Sequence, residues 1–518
     1  MNKWLFLILM LAAFLRFWQL GNVPPSASMD EASIGWNAYS VLKTGVDEYG
    51  EFPLISQRGY DDWRRSTYLF LTIPFIALLD LQIVAVRLPA VILSILTIWA
   101  MYHIAITVSR SNAVALLAAL LLAISPWHIY ISRLGHESNT YLSFFAFGVL
   151  FFLKDRLFMA ILFFILSMIS YYAGQVFVPL FGLGLILMYK IHLKKLIIPF
   201  LVSIPVFWFI FSPSSIVRFG GTSTFNPDAH YQEITKRREA RIRAIENNDR
   251  VGQFLHSERL FPIQVFIRSY VSHMRPTWLF TNSGSEPFKV PNMGLLYAWE
   301  LPFIIIGIFI FFKSRTIDLR AKKLIALWFF LAPLPASIAT GAPHAMRAYA
   351  VLPTWELVTS FGLYWVASKF RIPGLVLAPI LLLLSLRLLI PNYFFVFPHE
   401  QSDSFHYALS QTLPIVFSQE EKYDKIVLSN KDNLYQSYML YLNYRRFDPG
   451  EYQKLGGTTS GGYTQTHEIG KYEFRPIDWP SEGTGLYVGN MSEFPVDVPG
   501  IEIANMARNA VIKIVEHE

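Results

Sequence analysis

The chain has 518 residues, of which 53% are hydrophobic and only 16% are charged, against about 25% charged residues in an average soluble domain. A water-soluble globule of this composition would expose a large apolar surface, so most of the chain is predicted to face lipid. This excludes a soluble enzyme, a nucleic-acid-binding protein and a disordered scaffold. The formal charge of +7 is attributed first to basic loops beside a membrane.

Apolar runs long enough to cross a bilayer occur about eleven times along the chain. They are residues 4–20, 88–108, 113–131, 141–153, 157–172, 176–189, 196–211, 296–312, 324–338, 348–367 and 372–390. The predicted fold class is therefore a polytopic α-helical membrane protein. With zero cysteines, the chain has no disulfide or thiolate chemistry.

The apolar run 68–79 decides the orientation. It is short for a span and contains Pro74, which is typical of an interfacial segment. If it does not cross, the short basic loops at 110, 154–156, 190–195, 313–323 and 369–371 all lie on one face. The positive-inside rule identifies that face as cytoplasmic. Three long polar segments then lie outside: 21–87, 212–293 and everything after Pro391.

Residues 1–391 are thus predicted to form a transmembrane domain with two long outer loops, and residues 392–518 a small soluble domain on the outer face. This last segment has strand-like runs at 425–429, 472–477, 485–488 and 510–515 and a helical run at 434–444. The mixture predicts a small α/β domain. We find no internal repeat in the sequence.

Acidic residues near a lipid boundary are costly unless function keeps them. The first outer loop contains MDEASIGWNAYSVLKTG, which places Asp30 and Glu31 about ten residues after the first span. The residues that follow have helical spacing. A helix cap made by Asp30 is the structural alternative to a functional role.

A second charged cluster follows the third span in SPWHIYISRLGHESN. Arg133, His136 and Glu137 supply a cation, an imidazole and a carboxylate within five residues. Arg133 is suited to binding a phosphate and Glu137 to orienting a hydroxyl, with His136 in support. The alternative is a solvated turn with a snorkelling arginine and a capping acid.

A third cluster is GAPHAMRAY, at residues 341–349, on the same predicted face. His344 and Arg347 are three residues apart, so on a helix they would share one side. Interfacial anchoring is the alternative. The convergence of acids and arginines on one face favours a functional site there.

The chain resembles the lipid-linked-sugar glycosyltransferases of the GT-C fold, specifically glycosyltransferase family 39 and its bacterial relatives. That group includes protein O-mannosyltransferases and the aminoarabinose transferase acting on lipid A. The resemblance covers most of the chain and is strongest over residues 1–150. It rests on LRFWQLGNVPPSASMDEASIGWNAYSVLKTG, LLAALLLAISPWHIYISRLGHESN and YVSHMRPTWLFTNSGSEPFKVPNMGLLYAWELPF.

The resemblance implies that Asp30 is the base that deprotonates the acceptor, with Glu31 beside it and Glu137 as the second acid. The family commonly places that acid five residues after an arginine, whereas Glu137 lies four after Arg133. The donor implied is a polyprenyl-phosphate sugar, transferred with inversion. Its phosphate would lie against Arg133, with Arg347, Arg58 and Arg64 as further candidates and His136 and His344 in support.

The implied partners are this donor, a protein, glycan or lipid acceptor, and the bilayer, with no nucleic acid. The protein is expected in the inner or plasma membrane, with its site and C-terminal domain extracytoplasmic. No cofactor is certain from the sequence and no metal ligands are predicted, although a divalent metal stays open.

Two other functions are weighed. An oligosaccharyltransferase-like enzyme using a lipid pyrophosphate predicts WWD and DxD motifs, which the sequence lacks. A non-enzymatic transporter predicts mid-helix charges and repeat symmetry. The charges here gather instead at the outer boundary.

Overall fold

The computed structural model describes residues 2–60, 62–190, 221, 223–226, 230–282, 288–462 and 465–517. The chain forms two compact units, which we call the helical unit and the mixed unit. The helical unit comprises Met1–Ala12, Ile95–Ile131 and Tyr141–Ser385, and the mixed unit comprises Ala13–Ser94, Ser132–Thr140 and Leu386–Glu518. The first long polar segment, 21–87, and the predicted C-terminal domain, 392–518, therefore belong to the same unit.

Helices dominate the described residues up to Glu400. Those before residue 190 are α1 (Lys3–Phe17), α2 (Met29–Thr44), α3 (Thr67–Leu79), α4 (Ile83–Ser109), α5 (Asn112–Ile124), α6 (Pro126–Ser132), α7 (Glu137–Leu153), α8 (Leu157–Ser170) and α9 (Tyr172–Tyr189). Those that follow are α10 (Tyr231–Glu246), α11 (Arg250–Leu255), α12 (Phe261–Ser272), α13 (Pro276–Phe280), α14 (Glu300–Lys313), α15 (Leu319–Leu331), α16 (Leu334–Ser337), α17 (Leu352–Lys369) and α18 (Gly374–Leu389). A π-helix, Ile390–Val396, then leads to α19 (Phe397–Glu400).

Every predicted span among the described residues coincides with a helix or a helix pair. By length and composition, three helical segments are suited to crossing a membrane: Ile83–Ser109, Tyr172–Tyr189 and Val376–Glu400. Counting the bent pair α5 and α6 as one span makes a fourth. The predicted run 196–211 lies outside the described residues, so the total of eleven crossings stays a prediction.

Close packing of glycines joins α14 and α17 in the helical unit. A Cβ atom added at Gly307 would lie 2.0 Å from the carbonyl oxygen of Val358, and one added at Gly362 would lie 2.0 Å from that of Phe303. Only glycine permits such an approach between two backbones. Helix α17 also packs against α5.

The C-terminal part of the mixed unit is an α/β domain, as the sequence predicts. Its helices are α20 (Tyr407–Gln419), α21 (Ser437–Arg445) and α22 (Pro449–Lys454). Its strands are β3 (Ile426–Leu428), β4 (His467–Ile469), β5 (Tyr472–Phe474), β6 (Gly485–Asn490), β7 (Ile501–Ala504) and β8 (Ala510–His517), arranged β4-β5-β3-β6-β8-β7. Strand β3 is parallel to β5 and β6, and the remaining pairs are antiparallel.

Helix α2, in the first polar segment, packs against the C-terminal domain. It packs against α3, α21 and α22. The Trp36 ring is fully buried and its Nε1 donates to the carbonyl oxygen of Phe447 at 3.3 Å, while Asn443 Nδ2 donates to the carbonyl oxygen of Ala32 at 3.1 Å. The helix ends at Gly45, whose φ of 82° favours glycine. The C-terminal domain thus fixes the position of α2.

Candidate functional site

The site begins at the amino terminus of α2. Ser28 is the N-cap, and its hydroxyl accepts from the Glu31 backbone N–H at 3.3 Å. The Glu31 side chain accepts in return from the Ser28 backbone N–H at 3.0 Å, which completes a capping box. The cap that we considered for Asp30 is therefore made by Ser28. Asp30 is left in the first turn with its side chain 46% exposed.

The Glu31 carboxylate is buried, and both of its oxygens accept hydrogen bonds. Arg87 donates to both of its carboxylate oxygens, from Nε at 2.7 Å and from Nη2 at 3.1 Å. The same guanidinium donates to the carbonyl oxygens of Leu20, Pro24 and Ser26 at 2.9, 3.0 and 2.7 Å. Burial raises the pKa of Glu31, but the charge and hydrogen bonds of Arg87 outweigh it, and the net pKa is lowered. Glu31 therefore fastens the loop before α2 to α4.

A tight turn before α7 also forms a hydrogen bond with Glu31. The Gly135 backbone N–H donates to Glu31 Oε1 at 2.9 Å. A Cβ atom at Gly135 would lie 2.7 Å from Val86 Cγ1 and 3.2 Å from Glu31 Cγ. A side chain at this position would push the turn away from α2. The glycine thereby brings the next two residues, His136 and Glu137, up to the first turn of α2.

Four charged or titratable side chains meet beside this turn: Asp30, Arg64, His136 and Glu137. Arg64 Nη2 lies 2.6 Å from Asp30 Oδ1. His136 Nε2 lies 3.8 Å from Asp30 Oδ2 and 3.7 Å from Glu137 Oε2. Asp30 is the exposed member, whereas Arg64 and Glu137 are buried. The sequence predicted all four as site residues, and the structure brings them together.

The hydrogen bonds of His136 indicate its tautomer. Its Nδ1 accepts from the Ser138 backbone N–H at 3.1 Å. In the neutral ring the proton is therefore on Nε2, the nitrogen that faces Asp30 and Glu137. The imidazole is oriented so that an N–H points toward both carboxylates.

Arg64 comes from a hairpin that the sequence did not predict, formed by β1 (Ser56–Gly59) and β2 (Asp62–Arg65). Burial lowers the pKa of Arg64, but Asp30 and Glu137 outweigh that effect, so the net pKa is raised and the side chain stays charged. Its Nη1 is buried and has no hydrogen-bond partner among the described residues. One donor of the guanidinium therefore binds Asp30, and a second donor is buried without a partner among the described residues.

Arg133 and Arg58 lie in the same unit but in different surroundings. Arg133 is fully buried, and it donates to the carbonyl oxygens of Leu15, Arg16 and Val23 at 3.0, 2.7 and 2.8 Å. Its two terminal nitrogens are thus occupied at the end of α1, while its Nε is buried without a hydrogen-bond partner among the described residues. The Arg58 guanidinium stacks on the Tyr49 ring at 4.3 Å and is half-buried.

His344 and Arg347 belong to the helical unit and lie in a turn rather than in a helix. Arg347 donates from Nη1 to the carbonyl oxygen of Thr340 at 2.7 Å, and its backbone N–H donates to His344 Nδ1 at 3.4 Å. The backbone N–H of His344 donates to His273 Nε2 at 3.1 Å. The pairing of the two side chains on a helix face, which we inferred conditionally, does not apply.

Sequence reasoning missed Arg87, Gly135 and the buried acid Glu48. Arg87 is a charged residue at the edge of an apolar run, which is typical of a functionally important position. Several other arginines occupy similar positions, so this feature alone does not single it out. Glu48 accepts from Asn37 Nδ2 at 3.0 Å and from the hydroxyls of Tyr438 and Thr458, each at 2.9 Å. It joins the loop after α2 to the C-terminal domain, and no local sequence pattern predicts this pairing.

Among the described residues, no group of three or more His, Asp or Glu side chains has an arrangement that could hold a metal ion. Asp61 is outside the described residues, and its neighbour Asp62 is exposed.

Comparison with known proteins places this geometry in context. Residues 6–159 match the family model of the dolichyl-phosphate-mannose-protein mannosyltransferases. This segment contains all four residues of the cluster. No curated protein sequence matches the chain.

Two solved structures of ArnT from Cupriavidus metallidurans share the fold. The apo structure is 12% identical, with a TM-score of 0.53, and the match covers 99% of this chain and 97% of that chain. The structure bound to undecaprenyl phosphate is 11% identical, with a TM-score of 0.51 and coverage of 99% and 98%. The archaeal oligosaccharyltransferase AglB from Archaeoglobus fulgidus, in complex with an inhibitory peptide and a dolichol-phosphate, is 13% identical with a TM-score of 0.48, covering 85% of this chain and 63% of that one.

These findings confirm the resemblance that the sequence indicated. The chain has the GT-C fold, and its residues 6–159 carry the sequence pattern of the dolichyl-phosphate-mannose-protein mannosyltransferases.

Proposed function

We propose that this protein is a membrane glycosyltransferase that moves a sugar from a polyprenyl-phosphate donor to an acceptor on the extracytoplasmic face. The observation that carries the proposal is the pairing of an exposed carboxylate, Asp30, with an arginine that keeps a second buried donor unpartnered among the described residues. The family match and the fold shared with a protein bound to undecaprenyl phosphate support this reading.

Asp30 acts as the general base. Its side chain is the accessible carboxylate of the cluster, so an acceptor hydroxyl can reach it. As the acceptor oxygen attacks the anomeric carbon, the proton passes to Asp30 and the bond from that carbon to the phosphate oxygen breaks. The electron pair leaves with the polyprenyl phosphate, and the configuration inverts.

Arg64 binds the leaving phosphate. Its Nη1 has no partner among the described residues, and its positive charge is secured by Asp30 and Glu137. A fixed cation at the leaving group stabilises the charge that develops in the transition state. Transfer of Arg64 from Asp30 to the phosphate also frees the Asp30 carboxylate to accept the proton of the acceptor when the donor is bound.

The other predicted residues take different roles. His136 and Glu137 orient Asp30, because the Nε2 proton of the imidazole faces both carboxylates. Glu31 positions the turn through Arg87 and Gly135 and does not exchange protons with substrate. We assign no phosphate contact to Arg133, whose guanidinium is used by backbone carbonyls. Arg58 remains a second candidate.

The proposal is tested by adding labelled undecaprenyl-phosphate and dolichyl-phosphate sugars to the purified protein in nanodiscs. We expect sugar release or transfer to produce free polyprenyl phosphate without any nucleotide sugar. The matched arm supplies the same sugars as nucleotide diphosphate donors, which should not be consumed. Turnover of nucleotide sugars alone would refute the proposed donor class.

A further inference from the structure

Two carboxyl groups face each other inside the helical unit, whereas the cluster described above belongs to the mixed unit. Glu300 lies in the first turn of α14 and Glu356 lies in α17, and both are buried, with 1% and 0% exposure. They lie about two turns before Gly307 and Gly362, where the two backbones touch. The glycine packing brings the two acids to the same level.

These carboxylates lack the partners that a buried charge requires. The Glu356 carboxyl interacts with that of Glu300 and with the Ser125 hydroxyl. Even so, neither oxygen of Glu356 and only one oxygen of Glu300 closes a hydrogen bond among the described residues. Among the described residues, the groups that interact with either acid carry no positive charge. Two carboxyl groups this close in an apolar interior must be neutralised, either by protons or by a bound cation.

A break in a third helix adds oxygen ligands. Helices α5 and α6 bend by 56° at the break that contains Ser125. The Ser125 hydroxyl is buried, with 1% exposure; it interacts with the Glu356 carboxyl but closes no hydrogen bond of normal length and angle among the described residues. The break exposes the carboxyl end of α5, where the helix dipole is negative and favours a cation. Tyr297 occupies one carbonyl there, that of Ile124, at 2.8 Å.

We propose that Glu300, Glu356 and the Ser125 hydroxyl bind a divalent cation that ties α5, α14 and α17 together. Carboxylate and hydroxyl oxygens are the ligands that Ca²⁺ and Mg²⁺ prefer. A divalent ion neutralises both carboxylates at once, which a monovalent ion does not. This site is separate from the Asp30 cluster, and its role is to stabilise the helical unit.

Metal analysis and thermal unfolding of the full-length protein test the proposal. After chelation in detergent, CaCl₂, MgCl₂ and NaCl are titrated at constant ionic strength. We expect a saturable rise in Tm with one of the divalent salts and about one bound ion per chain. Loss of a partner that only orients a metal ligand weakens metal affinity by about tenfold or more. Glu356→Gln removes a direct ligand, so it should weaken the apparent affinity for the divalent ion by more than about tenfold.

Glu493→Gln is the matched control, because Glu493 is a buried glutamate of the C-terminal domain; it should keep the response. If Glu356→Gln does not fold, Glu300→Gln and the bound-metal content of the wild type decide the question. A wild type that binds no divalent ion and shows no divalent-specific rise in Tm would overturn the proposal. So would an unchanged response in a folded Glu356→Gln protein, or a response to NaCl alone.

Discussion

Arg87 is the residue that holds Glu31, and through Glu31 the turn before α7, in position. It donates to both oxygens of Glu31 and to three backbone carbonyls, and it is fully buried. Arg87→Met should destabilise the mixed unit by about 3–5 kcal/mol, because it leaves the Glu31 carboxylate buried and uncompensated. Thermal unfolding in detergent measures the change.

The double variant Arg87→Met with Glu31→Gln isolates the cause. The neutral amide removes the orphaned charge, so part of the lost stability should return. Equal stability of the single and double variants would show that the pairing is not the source of the effect.

Gly135 makes the second prediction at this scale. Its Cβ position lies 2.7 Å from Val86 Cγ1, so Gly135→Ala should cost about 1–3 kcal/mol through overpacking and lower transfer activity by displacing His136. Gly483→Ala is the matched control, because nothing lies within 4 Å of its Cβ position. Equal Tm and activity in the two variants would contradict the steric argument.

Glu48 links two elements of the mixed unit, the loop after α2 and the C-terminal domain. Burial raises the pKa of Glu48 to about 7 from 4.5. The folded state therefore keeps this proton to a higher pH than the unfolded state. The free energy of unfolding should fall as the pH rises from about 4.5 to about 7, by about 3 kcal/mol in total, and then level off.

Tm measured between pH 5 and pH 8 checks the Glu48 prediction. Glu48→Gln should flatten most of the fall. A smaller slope of the same sign should remain, because burial also raises the pKa of Asp47, to about 6. A Tm that rises with pH across this window would contradict the assignment.

The elements show where sequence reasoning works and where it stops. Helix α2 is predictable from the helical spacing of its apolar residues, and strands β3, β5, β6 and β8 from short apolar runs of the kind that buried strands have. Strands β4 and β7 are short edge strands, and β7 is mostly exposed, so no apolar pattern marks them. The β1–β2 hairpin, SQRG paired with DWRR, is polar for the same reason.

The site followed a similar division. Asp30, Arg64, His136 and Glu137 could be named because they are charged or titratable residues on one predicted face. The pairing of Glu31 with Arg87 could not be named, because it joins positions 56 residues apart in the chain. Nor could the use of Arg133 by the carbonyls at the end of α1. Charge type is visible in a sequence, whereas partner choice depends on tertiary packing.

At the scale of the whole molecule, the few charged residues fall into two groups. Basic residues in short loops predict the orientation in the membrane. A second, smaller group forms the cluster around Asp30, and it lies within residues 6–159, the segment that matches the mannosyltransferase family. The proposed role of the exposed Asp30 carboxylate is to remove the acceptor's proton. Because this role belongs to a single carboxylate, replacing it with the isosteric amide tests the role directly.

The most direct measurement is the rate of sugar transfer from a polyprenyl-phosphate donor by wild-type, Asp30→Asn and Asp497→Asn proteins in nanodiscs. Asp497 is an exposed aspartate of the C-terminal domain and serves as the matched control. Loss of the general base should lower the rate by about 10²–10⁴-fold in Asp30→Asn, with Tm unchanged, and leave Asp497→Asn at the wild-type rate. Wild-type transfer by a folded Asp30→Asn protein would contradict the account.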